Sequence, residues 1–418
     1  MTRRSTRLLW LVAALLPVGT TWAAWSWMAP GPDLREAIAL AKSNRFDEAE
    51  ALAQKYLARD PKSARAHMLL AQFALNRPES PSPNEADPEA GKRNARRALE
   101  HLDQIRTDAT NLDPKLPPLV ALYRGKARNR LGSLVEAEAS WEEALRLDPQ
   151  IPEAGWHLLE MQYLQGRVED SRQFALKMHG IELDPHDRVQ YLVEILRQEA
   201  RTPAPESLLP IFEPIVRDHP QDYRARIALG LARVRSGRID AGIDELRQAV
   251  RLQPERPEPW QAWLTGMEEA GQIDNLIRAW DRLPLSFADS DRFSTFAARI
   301  EQERGDFAKA IEQYRRARHA SPWDRTALFR LGRALSNAGK TAEAAEVDRE
   351  LRGINEAVAE VPSLHEELNA LPDLGITPYP ELCERVARNR QQLEHLDESR
   401  AWQALADRDR AKELASRP

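Results

Sequence analysis

Nine histidines and a single cysteine have the widest chemical range of any residues in this 418-residue chain, and their spacing assembles no reaction centre. The nearest approach to a zinc motif is His365-Glu366-Glu367-Leu368-Asn369. Binding through H-E-x-x-H needs two histidines four residues apart on one helical face, and Asn369 stands where the second would be. Cys383 has no partner in the sequence, which excludes an intramolecular disulfide, a zinc knuckle and iron–sulfur ligation; it reads as a small buried apolar residue. The 18 glycines are dispersed, so no loop is built to cradle phosphate. There is no G-x-S-x-G, no Cys/His arrangement with a supporting carboxylate, and no pairing of carboxylates away from solvated helix faces. The sequence therefore gives no catalytic residue, no cofactor site and no metal site. With 60 basic against 65 acidic side chains the net charge is -5, too balanced a field to draw in nucleic acid.

A chain without chemistry of its own must be read through its elements. Residues 1–7 carry Arg3, Arg4 and Arg7, and residues 8–29 follow with no charged side chain. Such a run is long enough for a transmembrane helix, which needs about 20 residues. Trp22, Trp25 and Trp27 crowd its far end, where indoles prefer the membrane interface. A signal peptide cleaved after Ala23 is the alternative, with the remainder secreted. Under either reading the arginines stay inside, and the bulk lies on the extracytoplasmic, periplasmic side of a bacterial inner membrane.

From residue 30 the chain repeats itself. Alanine, leucine, arginine and glutamate dominate, which favours helix. Gly132, Ala137, Trp141, Ala144 and Pro149 set a frame that recurs at Gly305, Ala310, Tyr314, Ala317 and Pro322. First positions at Tyr223, Pro257, Asp291 and Arg325 are 34 residues apart each time. This pattern resembles the tetratricopeptide repeat family, whose period is 34 residues. The resemblance implies an all-α, right-handed α-solenoid of nine to ten stacked helical hairpins, preceded by the N-terminal hydrophobic helix. Small residues such as Gly230, Gly332 and Ala298 let paired helices approach, and Trp141, Leu246, Trp280 and Tyr314 fill the space between them. The array is expected over residues 30–358, with a proline-rich loop insert at 77–90. An irregular connection holding Pro362 covers 359–380, and a C-terminal helical pair, Glu381 to Leu393 and Asp397 to Ala415 within 381–418, caps the array.

The resemblance also implies a concave groove that holds a peptide or protein partner, lined by positions 5 and 9 of each first helix. These positions give Trp156 and Phe329, and Lys126, Arg197, Arg299 and Arg333; Asn129 and Arg130 lie beside Lys126. Stacked guanidinium groups suit a carboxylate or an acidic peptide. The function implied is a membrane-tethered, non-catalytic interaction scaffold. The alternative is an accessory or substrate-recruiting subunit of a separately encoded enzyme, such as a glycosyltransferase or an envelope or cytochrome maturation system.

Overall fold

The computed structural model describes residues 32–78, 88–107, 113–181, 183–371 and 379–416; the expected N-terminal helix and most of the insert lie outside them. Every regular element among the described residues is helical. In chain order these are α1 (Pro32–Lys42), α2 (Phe46–Arg59), α3 (Ala64–Asn76), α4 (Pro88–Asp103), α5 (Leu116–Leu131), α6 (Leu134–Leu147) and α7 (Pro152–Leu164). Then come α8 (Val168–Gly180), α9 (Pro185–Ala200), α10 (Pro205–Asp218), α11 (Tyr223–Arg235), α12 (Ile239–Leu252), α13 (Pro257–Glu269) and α14 (Ile273–Trp280). The last are α15 (Leu285–Ala288), α16 (Ser294–Glu303), α17 (Phe307–Ala320), α18 (Arg325–Asn337), α19 (Thr341–Asn369), α20 (Pro380–Gln392) and α21 (Leu396–Ser416). None is long and apolar enough to cross a membrane.

The chain divides into two compact units, Met1–Met161 with Pro210–Ala225, and Gln162–Leu209 with Arg226–Pro418. In the first, the hairpins α1–α2, α3–α4 and α5–α6 pack in sequence order. Trp141 on α6, 1% exposed, fills the last of them and donates its indole N–H to the Leu122 carbonyl at 3.2 Å. A Cβ on Gly125 would stand 2.2 Å from the Trp141 Nε1, so only glycine lets α5 and α6 close over the ring. In the second unit the same device joins α11 to α12, where a Cβ on Gly230 would meet Leu246 at 2.6 Å.

Why the helices turn back at a fixed interval is visible at Gly237, Gly271, Gly305 and Gly339, which hold positive φ of 81°, 68°, 82° and 74°. Left-handed backbone strains any residue with a Cβ. At the last of these, Gly339 donates to the Ser336 carbonyl at 3.0 Å and Lys340 to Leu335 at 2.9 Å, satisfying carbonyls that the helix end leaves free.

The C-terminal pair α20–α21 uses the same turn, with Glu394 donating to Gln391 at 3.0 Å and His395 to Arg390 at 2.9 Å, but the left-handed residue is Glu394 at φ 56°. Glu394→Gly is therefore expected to stabilise the second unit by roughly 0.5–1 kcal/mol, the left-handed strain removed less the entropy glycine loses on folding. A raised urea midpoint at unchanged slope is the expected reading; a lowered midpoint would refute the account.

One expected boundary differs. Residues 359–369 are not an irregular connection, because α19 runs through Pro362 to Asn369. Its buried stripe of Ile354, Ala357, Val361, Leu364 and Leu368 continues at helical spacing across the proline and packs on α9. Burial of that stripe offsets the ~3 kcal/mol an internal proline costs.

Candidate functional site

Three of the groove residues read from sequence, Arg299, Phe329 and Arg333, meet in one cavity of about 500 Å³ in the second unit. Helix α16 supplies Arg299 and Gln302, α18 supplies Arg325, Thr326, Phe329, Arg330 and Arg333, and α19 supplies Leu351 and Asn355. The lining holds four guanidinium groups and no carboxylate.

Helix α18 is positioned by Asp324, whose carboxylate accepts from the Thr326 and Ala327 amides at 2.9 and 3.1 Å. Two of the four guanidiniums are countered from outside the lining. Arg299 pairs with Glu303 at 2.7 Å and Arg330 with Glu268 at 2.5 Å. Arg325 meets only the neutral Asn355 oxygen, at 3.5 Å, and Arg333 lies over the Phe329 ring, 5.9 Å from its centroid. Among the described residues neither has a carboxylate within ion-pair distance. The Arg299 Nε is buried without a hydrogen-bond partner, and Phe329 is 52% exposed, unusual for a large apolar side chain. Gln302 is held by the buried Tyr314, whose hydroxyl donates to its amide oxygen at 3.2 Å. The arrangement offers two uncompensated positive charges with an apolar ring between them. Arg325, Arg330, Leu351 and Asn355 are not among the groove residues read from the sequence, where Arg325 figures only as the first position of a repeat. Arg325 was legible as the residue four before Phe329 on the same stripe, whereas Leu351 and Asn355 follow from the unusual length of α19.

The other groove residues do not join this cavity. Arg197 forks onto Glu194, four atoms in two parallel bonds, and stacks over Tyr163 with 5.6 Å between its Cζ and the ring centroid. In the first unit Lys126 pairs with Glu153 and stands 4.7 Å above the Tyr123 ring, so its charge is spent internally. Beside it His157 stacks on Trp141 at 4.8 Å, and burial pushes its imidazole down to about 4. Asn129 is exposed and Trp156 half-buried on the same unit.

His365, the remnant of the H-E-x-x-H pattern, is buried and bonds Asn369 at 2.8 Å within its own helix. Cys383 is fully buried.

A second polar cluster in the same unit was invisible in the sequence. Arg390 on α20 has no exposure; it donates to Glu199 at 2.7 Å and to Asn389 at 2.6 Å, with Glu398 at 3.5 Å. Arg172 on α8 donates to the His395 Nδ1 at 2.6 Å, lies 3.6 Å from Glu398, and sits over Trp323 at 5.0 Å. Arginine has no acceptor, so the His395 proton must sit on Nε2, which faces Glu199 at 3.9 Å. Burial, then the Arg172 and Arg390 charges, pushes His395 down to about 2. Burial pushes Glu398 up to about 7 against the pull of both arginines.

These shifts act on stability with opposite sign. His395 stays neutral in the folded chain while the unfolded chain protonates it below about pH 6.5, so its contribution is lost as pH falls from 6.5. Glu398 holds its proton more tightly when folded, so its contribution is lost as pH rises from about 4.5 to 7. His395→Gln isolates the first. The stability of the unsubstituted protein minus that of the variant is expected to be constant above pH 6.5 and to fall by about 1.4 kcal/mol per pH unit below it. Parallel profiles from pH 7 to 4 would exclude the assignment.

Comparison with known proteins finds the tetratricopeptide repeat model at residues 34–81, 122–185, 209–264 and 297–359, more than half of the chain. No curated protein matches. Among solved structures, a Rap protein complexed with competence and sporulation factor is 18% identical, covering 79% of this chain and 98% of its own, with a TM-score of 0.33. MamA AMB-1 is also 18% identical, covering 47% of this chain and 83% of its own, with a TM-score of 0.19. The repeated frame, the left-handed turn every 34 residues and the family match agree, and the chain belongs to the tetratricopeptide repeat family.

Proposed function

We propose that this protein is a non-catalytic interaction scaffold that holds a segment of a partner protein at the arginine-lined cavity of its second unit. The observation that carries the reading is an open, positively charged cavity with a half-exposed aromatic side chain, built on a repeat fold. Large exposed aromatic side chains beside arginines are what binding surfaces use as anchors, since they bring contact area at little entropic cost. The scaffold is tethered to the inner membrane through residues 8–29, with both units on the extracytoplasmic side; the uncharged run and the arginines before it support this part.

Placing a photo-crosslinking amino acid at position 329 in cells tests the first part. Leu285, 82% exposed on α15, supplies the control position. A discrete adduct from 329 and none from 285 is expected; the same adducts from both positions, or none from 329, count against a partner at this cavity. Protease added to spheroplasts tests the second part, with digestion of both units expected and full protection excluding the proposed sidedness.

A further inference from the structure

Resting on the scaffold reading, we infer that the cavity recognises an extended acidic segment of its partner, with two carboxylates four residues apart and an apolar side chain midway between them. The spacing on α18 sets the geometry a ligand must match. Arg325, Phe329 and Arg333 are at i, i+4 and i+8, a single stripe of the helix, and all three are exposed. Eight residues at a rise of about 1.5 Å separate the two arginines by about 12 Å along the helix axis. An extended chain advances about 3.3 Å per residue and shows alternate side chains on one face, so residues i, i+2 and i+4 of a ligand span about 13 Å on a common side. The two intervals match. Cation, ring and cation on the helix therefore oppose acid, apolar and acid on the ligand.

Charge points the same way. Glu303 and Glu268 counter Arg299 and Arg330, leaving Arg325 and Arg333 as the cations of the lining that a ligand can neutralise. A cavity of about 500 Å³ falls in the range that holds a ligand of many heavy atoms and is far larger than one small anion fills. Leu351 adds a second apolar side chain to the lining. The Arg333 guanidinium is already stacked on that ring, so less freedom is lost when a carboxylate arrives.

The test is fluorescence anisotropy on the full chain in detergent, with a labelled pentapeptide blocked at both ends that carries aspartate at positions one and five and leucine at three. Saturable binding is expected. An isomer with the two aspartates adjacent, and an analogue with asparagine in place of both, are each expected to bind about tenfold more weakly or worse, as one lost charged hydrogen bond implies. Arg325→Gln and Arg333→Gln, both at exposed positions, are expected to weaken binding by about ten- to a hundredfold with unchanged thermal midpoints. Phe329→Ser is expected to weaken the leucine peptide and to leave a glycine-centred version unaffected. Arg333→Glu should regain binding to a peptide with lysine at one end.

Equal affinity for the adjacent-aspartate isomer overturns the spacing, and so does indifference to Arg325→Gln or Arg333→Gln. Displacement of the peptide by succinate or inorganic phosphate at the peptide's own affinity makes the cavity a small-anion site and also overturns the inference. If a crosslinked partner is captured at position 329 while none of the peptides binds, the scaffold reading stands and the ligand assigned here is wrong.

Discussion

Arg390→Leu is expected to lower the stability of the second unit by about 3–5 kcal/mol, the cost of breaking a buried charge pair by removing one partner. The size follows from where the charge sits. Arg390 has no exposure and meets Glu199 on α9, Glu398 on α21 and Asn389 on its own helix. Asn389 in turn donates to the Ala357 carbonyl at 2.8 Å and to Glu360 at 3.0 Å on α19. Leucine would strand the Glu199 carboxylate, leave Glu398 only its 3.6 Å approach to Arg172 and release the oxygen of Asn389, and unmet buried polar groups lose far more than a met one gains. Arg172 does not replace the lost partner of Glu199, since it is engaged with His395, Glu169 and Glu398. Urea unfolding followed by circular dichroism measures the loss, and hydrogen exchange should place it in α20 and α21. The triple replacement of Arg390, Glu199 and Glu398 by leucine is expected to recover much of the stability, because a buried ion cluster compares poorly with apolar packing of similar volume. A single substitution that costs less than about 1 kcal/mol would mean that water reaches these groups and that the cluster does not hold the C-terminal pair.

That cluster also marks the limit of sequence reading. The period was legible because each hairpin repeats one packing problem: a small residue must face a large one and a turn must follow. Gly230 against Leu246 is such a pair, and Gly339 is such a turn. Local spacing carries no such trace of a bond between Arg390 and Glu199, 191 residues apart, or between Arg172 and His395, 223 apart. The cavity was half legible for a related reason. Positions 5 and 9 of the repeat located Arg299, Phe329 and Arg333, but which cations keep their charge depends on acidic neighbours. Lys126 and Arg197 read alike in the sequence and are neutralised by Glu153 and Glu194 in the structure. At Pro362 local propensity points to a break, whereas the apolar stripe that runs straight through it keeps α19 helical.

Trp141→Ala is expected to destabilise the first unit by about 3–5 kcal/mol, and Gly125→Ala by about 1–3 kcal/mol, through the same contact seen from its two sides. Removing the indole leaves a void between α5 and α6 and frees the Leu122 carbonyl that its N–H now satisfies. Adding a methyl at position 125 forces the ring away from a point where 2.2 Å separates the new carbon from the Trp141 Nε1. The ring has little room to retreat, because His157 stacks on it at 4.8 Å. The two defects are complementary in shape, so they should not add. In the double variant Gly125→Ala with Trp141→Ala, the methyl occupies space the smaller side chain vacates, and the combined loss is expected to fall short of the sum of the single losses by at least 1 kcal/mol. Such a coupling, measured by urea unfolding of the four proteins, would establish that glycine is required at position 125 for the close approach of the two helices. Additive losses within about 0.5 kcal/mol would show instead that the helix pair relaxes around each change separately, and that the hairpin is not held at the spacing that Gly125 and Trp141 define together.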